Sequence, residues 1–141
     1  MPRLLALISL IAVLSACAGA RTHVPGDDPD LPFSRGVLVG NTFYVAGHLG
    51  LDPATRRAPT DPSVEAGLML DAFARTLAKV QLTMDDLVSV QVYCSDVGLY
   101  DQFNAVYRAR FAERFPARAF IGSGTLLRGA RFEIQGIAVR E

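Results

Sequence analysis

The sequence predicts an α+β fold, a mixed sheet with two helices packed on one face. Three observations predict it. Five short segments are rich in β-branched and aromatic residues, and they alternate or run apolar as strands do. Two longer segments repeat their apolar residues at three- and four-residue spacing, as helices do. The order is strand, strand, helix, strand, helix, strand, strand, which suits a layer of helices over one sheet.

The elements follow in chain order. "GVLVG" and "TFYVAG" flank Gly40-Asn41, which reads as a hairpin turn. "HLGLDPATRRAPT" reads as a loop with a turn at Asp52-Pro53. In "DPSVEAGLMLDAFARTLAKV" the period changes to helical. Asp61 is placed to cap, and Pro62 suits the first helical position. Ala66, Leu70, Phe73, Leu77 and Val80 share one face of that helix, and Asp71, Arg75 and Lys79 line a solvated one. "LVSVQVYC" alternates as a strand, with Val88, Val90, Val92 and Cys94 expected on one face. "DVGLYDQFNAVYRARFAERF" carries Tyr100, Phe103, Tyr107 and Phe111 on one helical face. "ARAFIGSG" and "RFEIQGIAVR" are the last strands. The final one is apolar on both sides, Ile134 and Ala138 on one and Ile137 and Val139 on the other. Helices can cover only one side, so the other is expected to meet a second subunit.

The front of the chain reads differently. "MPRLLALISLIAVLSAC" has an early cation, Arg3, and an apolar run of eleven residues from Leu4 to Leu14. A membrane-spanning helix needs about 20 residues, so the run predicts a signal-peptide core. It ends in "LSAC", which resembles the bacterial lipobox, and Cys17 is the expected lipidation site. The alternative is an ordinary secretory signal cut after Ala18 or Ala20. In lipoproteins a residue other than Asp after the cysteine, here Ala18, points to the outer membrane facing the periplasm. The expected organisation is a signal over 1–16, a lipid-anchored flexible tether over 17–31 and one domain over 32–141.

Composition narrows the partners. Fourteen cations balance fourteen anions, and losing Arg3 with the leader leaves 13 cations against 14 anions. No basic run marks a nucleic-acid surface. His23 and His48 lie far apart, so no zinc spacing exists and no metal is expected. With Cys17 lipidated, Cys94 is left alone and reads as a buried structural thiol.

Two ionisable residues stand out in strands that otherwise read as buried: Arg118 and Glu133. A buried unpaired charge costs several kcal/mol. Either the two form a structural ion pair, or they line a pocket where Arg118 grips a carboxylate and Glu133 handles a water. Spacing alone leaves both open.

"FPAR" followed by a stretch of the form "EIxxIAV" resembles the end of the Rid family, also called YjgF or L-PSP endoribonuclease-like proteins; here it reads "FPARAF…RFEIQGIAVR". The similarity runs back through "DQFNAVYRARF" and "SVQVYCSD" to "LPFSRGVLVGNTFYVAGHLGLDP", covering residues 31–140. The resemblance implies a chorismate-mutase-like fold and a homotrimer with a pocket at each subunit boundary. It implies hydrolysis of enamines and imines, of the 2-aminoacrylate and 2-iminobutanoate type, to 2-oxo acids and ammonia. Arg118 would bind the substrate carboxylate through its planar fork, Glu133 would activate water, and Asn104 would line the pocket. No cofactor is expected, because the enamine tautomerises to an iminium that water attacks.

The sequence also departs from that pattern. Family deaminases commonly carry tyrosine at the position of Phe33, serine at Ala46, cysteine at Phe120 and glutamine at His48. The substrate-binding positions Phe33, Ala46 and Phe120 therefore make a drier pocket of different shape. His48 is either a proton-transfer group or a neutral loop residue. The alternative function is a non-catalytic module that binds small carboxylates at the trimer interface.

Overall fold

The computed structural model describes residues 20–112 and 114–141. The expected signal over 1–16 and Cys17 lie outside them. Among the described residues six strands form one sheet: β1 Arg21–Val24, β2 Gly36–Val39, β3 Thr42–Leu49, β4 Leu87–Cys94, β5 Ala117–Gly122 and β6 Phe132–Val139. Their order is β1-β2-β3-β6-β4-β5. All neighbours are antiparallel except β4 and β5, which are parallel. The connection between those two is helix α2, Tyr100–Arg108, while α1, Pro62–Ala78, links β3 to β4.

Local chemistry places these elements. Asp61 Oδ1 accepts from Ser63 N at 2.7 Å, and Pro62 opens α1. Beyond the end of α1, Gln81 takes φ 60°, and the Leu82 N–H closes back on Leu77 O at 3.1 Å. Gly40, at φ 58°, makes the β2–β3 turn. Asp96 caps a short 3₁₀ turn, Val97–Leu99, that leads into α2.

Strand β1 corrects the expectation of a tether over 17–31. Arg21–Val24 pairs with Val39–Gly36 on the open side of β2. The pairing is made by backbone groups, and only Val24 is buried, so four residues give no periodicity to read.

The core lies between the sheet and the two helices. Phe43, Phe73, Phe103 and Phe132 are fully buried there, with Met69, Leu70, Leu77, Val90, Val92 and Ile134. Burial of each such side chain contributes roughly 1.5–3 kcal/mol. Cys94 is buried among them, its thiol donating to Asp96 O at 2.9 Å, and burial raises its pKa. Val88 does not join this face. A register shift between Leu87 and Ser89 turns Leu87 inward and leaves Val88 48% exposed.

Among the described residues no helix lies on the other face. Pairing places Val37 beside Tyr44, Tyr44 beside Ile137, Ile137 beside Ser89, and Ser89 beside Ala117. Gln91, Tyr93 and Gln135 form a hydrogen-bonded cluster in its middle.

A bulge in β3 decides which residues reach each face. Val45 pairs with Gly136 but His48 pairs with Ile134, so Ala46 and Gly47 together stand opposite Gln135. The extra residue returns His48 to the helix side, where it is 2% exposed.

Candidate active site

Arg118 sits on β5 opposite Val90, and Phe120 opposite Val92. Both partners are core residues, so the two side chains point under α2. Asn104 comes from α2 and accepts from Arg118 Nη2 through Oδ1 at 2.7 Å. The guanidinium carbon lies 4.5 Å from the Tyr107 ring centre and 5.8 Å from those of Tyr100, Phe103 and Phe120. Aromatic faces attract the cation and strip water from it. A cleft of about 190 Å³ opens beside it, lined by Tyr100, Asn104, Tyr107, Arg108, Phe115, Pro116 and Arg118.

Glu133 lies elsewhere. On β6 it stands beside Tyr93 of β4 and Leu49 of β3, on the face without helices. Its carboxylate fills the space over Gly47: a Cβ there would stand 2.0 Å from Oε1. Burial raises the Glu133 pKa above the ordinary carboxylate value. Next to Gly47, the Ala46 N–H donates to Arg35 O at 2.9 Å. The Arg35 guanidinium in turn lies 5.8 Å from the Phe33 ring centre, and that ring is 47% exposed.

The predicted residues therefore fall into two half-sites. Asn104, Arg118 and Phe120 gather under α2. Ala46 and Glu133 gather at the β3 bulge, with Phe33 nearby. Strand β4 separates β5 from β6, and Arg118 and Glu133 point to opposite faces of the sheet. The ion pair left open by the sequence does not form within one chain.

His48 belongs to neither half-site. Its Nδ1 bonds Ala46 O at 2.7 Å and its Nε2 bonds Thr76 Oγ1 at 2.8 Å. The Phe73 ring meets it edge-on, with centroids 5.3 Å apart. Burial lowers its pKa to about 4, so the ring is neutral at pH 7. Of the two readings of His48, proton transfer at the site does not fit this interior position. Neither does a free loop residue, because β3 extends to Leu49.

Two residues with chemical weight were not singled out from the sequence. Glu65, on α1, is fully buried. Its Oε1 accepts from Arg131 N at 2.6 Å and Phe132 N at 3.0 Å, and its Oε2 lies 2.8 Å from Arg131 Nη2. Arg131 also donates to Pro59 O, which ties the 50–61 loop to the start of β6. A signal for Glu65 existed: it precedes Met69 by four residues and Phe73 by eight, on the apolar stripe of the helix. Tyr107 read as one more apolar contact. It is 3% exposed, and its hydroxyl has no hydrogen-bond partner among the described residues. Among those residues no cluster of three His, Cys, Asp or Glu side chains could hold a metal.

Comparison with known proteins agrees with this architecture. Residues 26–140 match the family described as Endoribonuclease L-PSP. A protein of Bos taurus named 2-iminobutanoate/2-iminopropanoate deaminase is 34% identical over 110 residues, 77% of this chain and 80% of its own length. The Escherichia coli K12 protein of the same name is 31% identical over 112 residues, 77% of this chain and 88% of its own. The crystal structure of the E. coli YjgF gene product superposes with TM-score 0.73 at 31% identity, covering 78% of this chain and 89% of that one. E. coli TdcF with bound serine superposes with TM-score 0.75 at 26% identity, covering 84% and 94%. The six-stranded mixed sheet, the two helices on one side and the match over most of the chain lead to one conclusion: the chain belongs to the L-PSP endoribonuclease family, the Rid or YjgF proteins.

Proposed function

We propose that this chain hydrolyses small enamine and imine acids, of the 2-aminoacrylate and 2-iminobutanoate type, to 2-oxo acids and ammonia. The observation that carries the reading is the state of Arg118. Nη2 is held by Asn104, while Nη1 is buried with no partner among the described residues, beside an open cleft. A buried guanidinium edge left unbonded costs several kcal/mol unless an anion completes it. The relatives named 2-iminobutanoate/2-iminopropanoate deaminase supply the substrate class.

The catalytic arrangement needs a second copy of the chain. Arg118 and Glu133 cannot meet on one substrate within one subunit, and no helix among the described residues covers the face that holds Glu133. We infer a homotrimer in which the α2 half-site of one subunit faces the bulge half-site of the next. Arg118 and Asn104 then hold the carboxylate, leaving C2 toward Glu133. The enamine takes a proton at C3 and becomes the iminium. Water attacks C2 as Glu133 removes one of its protons, which forms the C2–O bond and gives the carbinolamine. That proton passes to nitrogen, the C–N bond breaks with its electron pair leaving on ammonia, and the hydroxyl proton is lost to give the 2-oxo acid. A carboxyl whose pKa burial has raised is a better base for this step than an ordinary one.

Phe33, Ala46 and Phe120 favour a second reading, binding without turnover. Phe120 packs against Tyr100 at 5.1 Å and Phe103 at 5.4 Å between ring centres, occupying room next to Arg118. One assay separates the two. An amino-acid oxidase generates the imine, and appearance of the 2-oxo acid is followed with and without the protein. Faster appearance that Glu133→Gln abolishes, with 2-oxo acid binding kept, supports the enzyme. Binding of 2-oxobutanoate with no acceleration gives the second reading.

We also propose that Cys17 is acylated and anchors the protein to the outer membrane, facing the periplasm. Lipid labelling of the wild type that Cys17→Ala removes is the expected result. Labelling unchanged in the variant overturns it.

A further inference from the structure

We propose that Tyr107 is a second donor to the ligand carboxylate, working beside Arg118. The inference rests on the carboxylate-binding reading above and adds a residue to it. Two residues that line the same cleft each carry a buried side-chain donor, Arg118 Nη1 and Tyr107 Oη, and both donors lack a partner among the described residues. They are neighbours, since the Arg118 guanidinium carbon lies 4.5 Å from the Tyr107 ring centre.

Core packing alone does not account for that hydroxyl. Tyr107 stacks on Phe103 at 5.6 Å and meets Phe111 at 4.8 Å and Phe115 at 6.4 Å, and a phenylalanine would make the same contacts. A buried hydroxyl left unbonded costs about 1–3 kcal/mol, so a fold that needed only the ring would be better served without it. A carboxylate has two oxygens and roughly four acceptor sites. One oxygen can take Arg118 Nη1 while the other takes Tyr107 Oη, and both orphans are then satisfied by one anion. Burial pushes the Tyr107 pKa to about 12, with the Arg118 charge opposing the shift, so the phenol keeps its proton and remains a donor at neutral pH.

Tyr107→Phe tests this with opposite expectations for binding and stability. The probe is 2-oxobutanoate, titrated calorimetrically into wild type, Tyr107→Phe and Arg118→Ala, with thermal melts on the same samples. Loss of one hydrogen bond to a charged group should weaken Tyr107→Phe by about tenfold or more. Its melting temperature without ligand should hold or rise, because the variant removes an unbonded buried group. In the deaminase assay KM should rise while kcat stays near wild type, since the contact is to the carboxylate and not to the reacting carbon. Binding equal to wild type overturns the inference, and so does a weaker variant whose melting temperature falls in parallel. If wild type does not bind 2-oxobutanoate, or Arg118→Ala binds it as well as wild type does, the underlying carboxylate reading fails instead.

Discussion

The two helices cover two polar regions built on opposite terms. Under α1 the fold supplies the partners. Glu65 holds two backbone amides and faces the Arg131 guanidinium, and both nitrogens of His48 are bonded. Under α2 the fold stops short. Arg118 has Asn104 on one nitrogen, nothing among the described residues on Nη1, and Tyr107 beside it with a bare hydroxyl. Among the described residues four buried side-chain atoms lack a hydrogen-bond partner, and two of them, Glu65 Oε2 and Arg131 Nε, belong to one ion pair. There the opposite charges lie 2.8 Å apart but out of line for a hydrogen bond. The other two are both donors, and both belong to residues that line the cleft. Buried polarity that the protein completes reads as structure. Buried polarity of a single sign, left open at a cleft, reads as a place for a ligand.

Substitutions on the two sides should therefore fail differently. The largest effect is expected at Glu65. Glu65→Ala leaves two amides and a guanidinium without their acceptor, so urea unfolding should show a loss of about 3–5 kcal/mol. A loss below about 1 kcal/mol would mean that the α1 cluster is no more completed than the cleft.

The next effect comes from His48. Its folded pKa, lowered to about 4 chiefly by burial, lies below the ordinary histidine value of 6.5. Between those values the unfolded chain binds more protons than the folded one. The contribution is fully present above pH 6.5 and is lost as pH falls toward 4, by up to about 3 kcal/mol. His48→Gln should flatten that part of the stability profile. A slope equal to wild type would show that another group carries it.

The smallest stability effect, with a clear functional one, is expected at Arg118. Arg118→Ala should weaken 2-oxobutanoate binding at least about tenfold, because it removes charge-assisted hydrogen bonds. Arg118→Lys keeps the charge but not the fork and should recover only part of that. Stability should fall by less than in Glu65→Ala, since Arg118 brings one unbonded nitrogen into the fold. If Arg118→Ala unfolds as easily as Glu65→Ala, the distinction between the two regions collapses.

Much of the fold was legible because period and punctuation agree. The change of spacing after Asp61 and the alternation through Leu87–Cys94 mark elements that exist at those places. Three things were not legible, each for a physical reason. Strand β1 is short and docks by backbone bonds, which leave no side-chain pattern. The β3 bulge adds a residue that alternation cannot anticipate, so it sends His48 inward and opens room for Glu133 over Gly47. Arg118 and Glu133 could each be assigned a face of their own strand, but relating the two faces requires the parallel pairing of β5 with β4 and the place of β6 beside β4. The candidate residues were visible one at a time, while their division into two half-sites is a property of the sheet order.

Strand β1 also changes the reach of the chain. With the sheet beginning at Arg21, only four peptide steps separate it from Cys17. A fully extended chain covers roughly 3.3–3.6 Å per residue, so that link spans at most about 14 Å, against about 50 Å for a free tether through residue 31. On the proposal that Cys17 carries the lipid, the domain does not roam at the end of a leash. It rides close against the bilayer with β1 nearest the headgroups, and three such links in a trimer would fix its tilt as well as its height. Its substrates would then be those that diffuse within a few molecular diameters of the membrane surface.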